Sequence, residues 1–195
     1  KRNETFCKQP QKSYLMKKIM IIGGGVIGLC LAYEISRNSK FQVFLIEKNK
    51  TFGLEASTKN SEVIHSGVYY KNNSLKAKLC VQGKRLIYKF CKKYKIPNKK
   101  IQKLFIGNSK SDLKLIQQMY KNAKINKVKD IKIIGKDLIK KIEPNIIANY
   151  ALLSKSSGIF DVNGFMKKVF YLCKKNKVKF LFKRNISHGI CHKNK

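Results

Sequence analysis

Short apolar runs alternate with amphipathic stretches along the 195 residues of this chain. Ile19-Met-Ile-Ile22 has the length and uniform apolarity of a buried parallel strand. Leu29 to Ser36 continues as an apolar-rich helix that ends near Arg37-Asn38, and Phe41-Gln-Val-Phe-Leu-Ile46 supplies a second strand. The pattern predicts a βαβ unit of about 30 residues. Farther on, Leu75, Leu79, Gly83, Leu86, Phe90 and Tyr94 recur at three- and four-residue steps, which predicts an amphipathic helix from Ser74 ending before Pro97. Lys103 to Ile106 reads as a strand, Asp112 to Ala123 as a helix with Leu113, Ile116 and Tyr120 on one face, and Ile131 to Ile134 as another strand. Asp161 is placed to cap a helix running through Phe165, Val169 and Leu172. Val178 to Phe182 then returns as a strand expected to rejoin the first sheet. The expected class is α/β, a Rossmann-like sheet followed by the beginning of an α+β domain.

Charge alters this picture less than its size suggests. The formal net charge is +34 and the pI about 10.1, the footprint of a nucleic-acid binder. Yet only four cations are arginines (Arg2, Arg37, Arg85, Arg184), and bidentate phosphate and base contacts favour Arg. The lysines are spread over the whole chain, as a solvated basic surface would be. No specific nucleic-acid partner is expected, only weak, salt-sensitive adhesion to anionic surfaces such as the inner face of a membrane. The longest apolar run, Ile19 to Ala32, contains three consecutive glycines and is shorter than the roughly 20 residues of a membrane-spanning helix. Six cysteines without CxxC spacing suit a reducing, cytoplasmic compartment. His188-Gly-Ile-Cys191-His192 has no second ligand pair, so no metal site is expected there. Residues 1–15 are polar and basic without an apolar signal core, and Met16 is a candidate start, which makes 1–15 a leader or upstream extension.

The candidate chemistry begins where the first strand ends. Ile22 runs into Gly23-Gly24-Gly25-Val26-Ile27-Gly28, a GxGxxG between a strand and a helix. In that context Gly23 makes the tight turn, Gly25 lets the backbone approach a pyrophosphate, and Gly28 lets helix and strand pack closely. The helix N-terminus offers amides and positive dipole to the phosphates. Glu47, at the end of the second strand, falls where an acid accepts hydrogen bonds from adenosine ribose hydroxyls. Lys48 beside it could screen the pyrophosphate, although one lysine among so many carries little information. These residues suit FAD and NAD equally, because both present the same ADP half.

The next segment separates them by resemblance. Gly53-Leu-Glu-Ala-Ser57-Thr-Lys-Asn60-Ser61-Glu62-Val-Ile-His65-Ser66-Gly67-Val-Tyr69-Tyr70 resembles the flavin-contacting segment of the FAD-dependent oxidoreductases of the D-amino-acid-oxidase superfamily. Within it the segment is similar to the L-2-hydroxyglutarate dehydrogenase/oxidase family, which reads close to N-S-x-V-I-H-S-G-I-Y-Y here. The likeness continues through Ser74 to Gly83, Lys103 to Ile106, Glu143-Pro144 and Ala151 to Asp161, and covers Met16 to about Ile186. Thr58, Lys59, Phe160 and Val162-Asn163 depart from the family's pattern.

The resemblance implies FAD as cofactor, with Ser57, Asn60, Ser61, Ser66 and Gly67 small enough to bring donors against the flavin or its pyrophosphate. It implies a small 2-hydroxy acid, L-2-hydroxyglutarate, oxidised to 2-oxoglutarate by hydride transfer to flavin N5, with oxygen or a membrane quinone as acceptor. His65 is the candidate general base for the alcohol proton. The alternatives are a histidine hydrogen-bonded in the core or one tethered to the flavin. Tyr69 and Tyr70 are candidate donors to a substrate carboxylate, or simply packing aromatics. Expected boundaries are 16–100 for the first part of the FAD-binding domain, 101–160 for the start of the substrate domain, and 161–195 for a return into the first domain. Family members continue for a comparable length, so an incomplete fold with a complementary C-terminal half is expected. Other superfamily activities, such as glycerol-phosphate dehydrogenase or amine and amino-acid oxidase, and an inactive fragment or non-catalytic basic module, are the rivals.

Overall fold

The computed structural model describes residues 16–190. The expected leader 1–15 and the Cys191-His192 end of the histidine-bearing tail lie outside the described residues.

The described chain divides into two compact units, one of residues 16–58 with 166–190 and the other Lys59–Phe165. In the first, β1 (Lys17–Ile22), α1 (Val26–Ser36) and β2 (Phe41–Glu47) form the expected βαβ unit. β9 (Lys179–Phe182) pairs parallel with β2, giving the order β1-β2-β9. Of the apolar runs read from the sequence, that of β2 is buried. The run expected as a buried strand in β1 is buried only at Ile21, with Met20 and Ile22 61% and 69% exposed, because β1 is the edge strand of the described sheet. Val43 and Leu45 of the central strand are sealed, as are Leu29 and Ala32 of α1, the helix that neighbours β2. Burying each such aliphatic side chain contributes about 1.5–3 kcal/mol. The last turns of α5 (Val162–Lys175) belong to this unit. Phe170 packs with tilted rings against Phe52, Phe180 and Phe182, the centroids 4.5, 4.6 and 6.3 Å away. Cys173 donates to the Leu29 carbonyl at 3.5 Å.

The second unit is built on two small antiparallel sheets. One has the order β3-β8-β4, from β3 (Val63–Ile64), β4 (Asn98–Lys99) and β8 (Gly158–Phe160). The other is β5-β7-β6, from β5 (Lys103–Gly107), β6 (Ile131–Gly135) and β7 (Tyr150–Ser154). β7 is central and buried on both faces, so its side chains alternate between two cores. Leu152 joins Val68, Ile116, Ala123, Val128 and Ile131 under α3 (Lys110–Ile125). Ala151 and Leu153 join Ile134, Ile139 and Ala148 under α4 (Lys136–Ile142).

The strands β3, β4, β7 and β8 are not among the elements that the pattern predicts, and three helices depart from it. α3 begins at Lys110 rather than Asp112, because Ser109 is the N-cap of a capping box: its hydroxyl accepts from the Asp112 amide at 3.0 Å and the Asp112 carboxylate accepts from the Ser109 amide at 2.9 Å. α4 was not expected; its seven residues are too few to express a helical period. α2 (Leu75–Tyr94) has the expected span, but the stripe that marked it is largely on the outside: Leu75, Leu79 and Leu86 are 69%, 54% and 64% exposed. The buried residues are Ala77, Lys84 and Cys91, on the opposite side of the helix at seven-residue steps. Large apolar residues defined the period, yet small residues and one lysine form the face turned to the unit's own core.

The units also divide the chain at different places from the boundaries at 100 and 160. Residues 59–100 pack with the sheets of the second unit, and the C-terminal boundary falls inside α5.

Candidate functional site

The glycine loop is held by its own backbone and by one carboxylate. Gly23 has φ +103°, a conformation that L side chains rarely adopt, and its amide donates to the Ile46 carbonyl at 2.8 Å. This couples the end of β1 to the end of β2. A Cβ on Gly28 would collide with the Gly23 carbonyl, so the turn and the first helical turn touch through bare backbone. Gly25 is the N-cap of α1, where no side chain caps it from its own position. Its Cβ would meet Ser57 Oγ at 3.0 Å. Ser57 reaches in from the following loop and accepts from the Val26 amide at 3.0 Å, satisfying one of the donors that a helix start leaves open.

Glu47 is 7% exposed, and both its oxygens are engaged. Oε2 accepts from the Gly24 amide at 2.7 Å and Oε1 from the Asn49 amide at 2.8 Å. A carboxylate offers about four lone-pair sites, so two bonds fix its position and leave capacity for hydroxyl donors. The expected ribose acceptor is therefore also a clamp on the loop. Lys48, by contrast, is exposed and pairs with Glu55 at 3.2 Å. Gly53, at φ +75°, donates its amide to the Gly24 carbonyl at 3.0 Å, a second tie that the sequence reading missed.

The remaining candidates lie in the second unit. Asn60 and Ser61 are exposed, and Asn60 Oδ1 accepts from the Glu62 amide at 2.7 Å, an Asx turn. Ser66 and Gly67 are buried. Gly67 has φ +90° and its Cβ would meet Val81 Cγ2 at 3.2 Å, so glycine is required both for the turn and for the approach of α2.

His65, Tyr69 and Tyr70 form one cluster. Tyr69 Oη lies 3.3 Å from His65 Nδ1, and the Tyr69 and Tyr70 rings are 4.8 Å apart. Burial, with Lys103 and Lys76 nearby, lowers the His65 pKa below its ordinary 6.5, so the imidazole is neutral at physiological pH. Burial and a hydrogen bond to Tyr69 push the Tyr70 phenol up to about 12, which keeps it protonated. Sequence reasoning missed three members. Lys103 Nζ sits 5.9 Å from the Tyr69 ring and 5.1 Å from that of Phe105, and Lys76 Nζ 4.7 Å from the Tyr70 ring. In a chain this rich in lysine, only position can single out two of them.

This arrangement provides a nucleotide-type backbone cradle in one unit. In the other it provides a neutral imidazole beside two phenols and two ammonium groups. The cradle fits the ADP half of FAD: a side chain is excluded at Gly28, is absent at the Gly25 cap, and a fixed carboxylate stands at the end of β2. Among the described residues no helix is long and apolar enough to cross a membrane.

Comparison with known proteins agrees with the fold. Curated relatives include L-2-hydroxyglutarate dehydrogenase, mitochondrial, from Nematostella vectensis, 41% identical over 154 residues, which are 78% of this chain and 33% of that protein. The protein of the same name from Arabidopsis thaliana is 39% identical over 75% of this chain and 30% of its own length. The chain thus spans about a third of the length of the curated relatives it matches. Among solved structures, dithionite-reduced L-alpha-glycerophosphate oxidase from Mycoplasma pneumoniae with FAD bound superposes with a TM-score of 0.77 at 28% identity, over 86% of this chain and 44% of that one. L-proline dehydrogenase from P. horikoshii gives 0.74 at 20% identity, over 86% of this chain and 44% of that one, a likeness of fold. The model of the family described as DAO, FAD dependent oxidoreductase, matches residues 18–194. With the cradle and sheet formed as that cofactor requires, the chain belongs to the FAD dependent oxidoreductase family.

Proposed function

We propose that this chain is the cofactor-gripping N-terminal part of an enzyme that oxidises L-2-hydroxyglutarate to 2-oxoglutarate. The observation that carries the substrate reading is the 36–41% identity to L-2-hydroxyglutarate dehydrogenases over 73–83% of this chain. Residues 16–100 and 161–195 are proposed as the parts of the FAD-binding domain present here, and 101–160 as the beginning of the substrate domain. In the loop of Gly23, Gly25 and Gly28, Gly25 and the α1 N-terminus receive the pyrophosphate, while Gly23 turns the chain and Gly28 admits the close packing behind it. Glu47 accepts from the ribose hydroxyls. Ser57, Asn60, Ser61, Ser66 and Gly67 lie along the flavin segment. Lys48, engaged with Glu55 at the surface, is left with at most a long-range electrostatic part.

Bound FAD supplies the hydride acceptor. The chain's own contribution is to hold the substrate and take its proton. A 2-hydroxy dicarboxylate is a dianion, and Lys103 and Lys76 are the cations that stand with His65 and the tyrosines. Tyr70, kept protonated, donates to a carboxylate oxygen. His65 takes the hydroxyl proton on Nε2. For that, Nδ1 must carry the other ring proton and donate it to Tyr69 Oη, 3.3 Å away. Tyr69 is thereby a positioning residue that selects the tautomer. The lowered His65 pKa supports this role, since a general base must start unprotonated. Reoxidation by oxygen or by a quinone at a membrane surface completes the proposed cycle.

A second reading, oxidation of glycerol phosphate, is favoured by the M. pneumoniae structure. Anaerobic mixing of the FAD-loaded protein with L-2-hydroxyglutarate, L-alpha-glycerophosphate and L-proline in turn separates the readings. Bleaching of the flavin by the first alone supports the proposal, and bleaching by glycerophosphate alone replaces it with the second reading.

A further inference from the structure

The second unit contains a cleft of about 840 Å³ that none of the proposed chemistry uses. It lies between the middle of α2, the α3–β6 connection, the residues before β5, and the β7–β8 turn. Six cations line it: Lys78, Lys84, Arg85, Lys100, Lys127 and Lys129. Six of its fourteen lining residues are cationic, against 44 of 195 in the whole chain, so the cleft is about twice as basic as the chain that forms it. Asp130 is the single acid. Among the described residues the ion pairs are Arg37 with Glu34 and Lys48 with Glu55, so no carboxylate lies within pairing distance of these six.

Lys84 makes the site more than a surface charge patch. It is 8% exposed, and its ammonium donates to Ser156 Oγ at 2.6 Å, a neutral partner. The Tyr88 hydroxyl donates to the Ser156 carbonyl at 3.2 Å, so the floor of the cleft is fixed. A buried ammonium whose hydrogen-bond partner is one hydroxyl, with Asp130 the single acid of the cleft acting on it, keeps donor capacity for an arriving anion. Tyr88, with Lys100 Nζ 5.3 Å from its ring, and the side chains of Val81 and Ile125 add apolar wall. The volume is that of small-ligand sites, roughly 300–1,000 Å³.

We propose that this cleft binds a small organic polyanion, with several negative charges as phosphate or carboxylate, at a site separate from the glycine cradle. Burial lowers the Lys84 pKa while neighbouring Asp130 opposes that shift, and an arriving anion would oppose it further.

The test is calorimetric titration of the full chain with inorganic pyrophosphate and, in a second arm, citrate. Because the cradle could also take pyrophosphate, both are run on a Gly25→Asp background. This substitution sets a carboxylate at the N-cap where the phosphates would sit, with the Ser57 hydroxyl, 3.0 Å from its Cβ, giving way to it. The expected result is saturable one-to-one binding of at least one probe, weakened about tenfold or more by Lys127→Glu with Lys129→Glu. The control Lys140→Glu with Lys141→Glu on α4, equal in charge change, should shift it less than about twofold. Lys127→Ala with Lys129→Ala repeats the test should the reversed pair fold poorly. The arm that binds identifies phosphate or carboxylate. No saturable binding, equal losses in cleft and control variants, or binding of a single-stranded oligonucleotide but neither probe would overturn the proposal.

Discussion

Glu47 Oε2 accepts the Gly24 amide at 2.7 Å, so the acid at the end of β2 holds the glycine loop at the end of β1. One side chain thus serves the loop's shape and the expected ribose contact. Glu47→Gln keeps the size but weakens charge-assisted bonds that are each worth about 1.5–3 kcal/mol. FAD affinity, measured by quenching of flavin fluorescence, should fall roughly tenfold to a hundredfold. The urea midpoint should also move down, because the amide of Gly24 loses its ionised partner.

The glycines of the loop should respond differently to substitution. A Cβ at Gly28 meets the Gly23 carbonyl, so Gly28→Ala should lose about 1–3 kcal/mol or more in urea unfolding. Gly25→Asp, at the α1 N-cap, should cost less than that while abolishing flavin retention, because its Cβ meets only the Ser57 hydroxyl, at 3.0 Å, and its carboxylate can take over the cap that Ser57 provides. Equal stability losses in both variants would contradict a cradle built for a phosphate.

For His65 the sign of the pH effect is fixed by its lowered pKa. The base is active when unprotonated, so the rate of flavin reduction should fall only as pH drops below the ordinary 6.5. Lys103→Met removes one of the charges that depress this pKa and should move the acid limb to higher pH. His65→Gln should slow reduction by about 10²–10⁴-fold. Tyr69→Phe should slow it less, with a smaller change in the substrate concentration dependence than in the limiting rate.

Lys84 gives a stability prediction. Its folded pKa lies below the ordinary 10.5, so between the two values the unfolded chain binds more protons. Stability contributed by this group therefore rises with pH across that window. The difference in urea stability between the wild type and Lys84→Met should grow in the wild type's favour as the pH rises towards 10.5.

How far the sequence carried the fold depends on which signal each residue type bears. The βαβ unit was legible because Ile19–Ile22, GxGxxG and Phe41–Ile46 express strand, turn and strand in consecutive and unambiguous form. The return strand β9 was legible for the same reason. The two-residue β3 and β4 and the seven-residue α4 were not, since neither length expresses a period. In α2 the leucines gave the right helix and pointed to the wrong face, because burial there is decided by Ala77, Lys84 and Cys91. The cradle glycines could be read from spacing. Ser57 as a cap for α1, and the association of Lys103 with His65, depend on tertiary placement that no local pattern encodes.

The central claim is tested most directly by mixing the FAD-loaded protein anaerobically with L-2-hydroxyglutarate while recording the visible spectrum and assaying 2-oxoglutarate. The account predicts loss of the long-wavelength flavin band with one 2-oxoglutarate formed per flavin reduced, and no bleaching by the D-enantiomer. A spectrum that keeps its flavin band, with no 2-oxoglutarate formed, would contradict it.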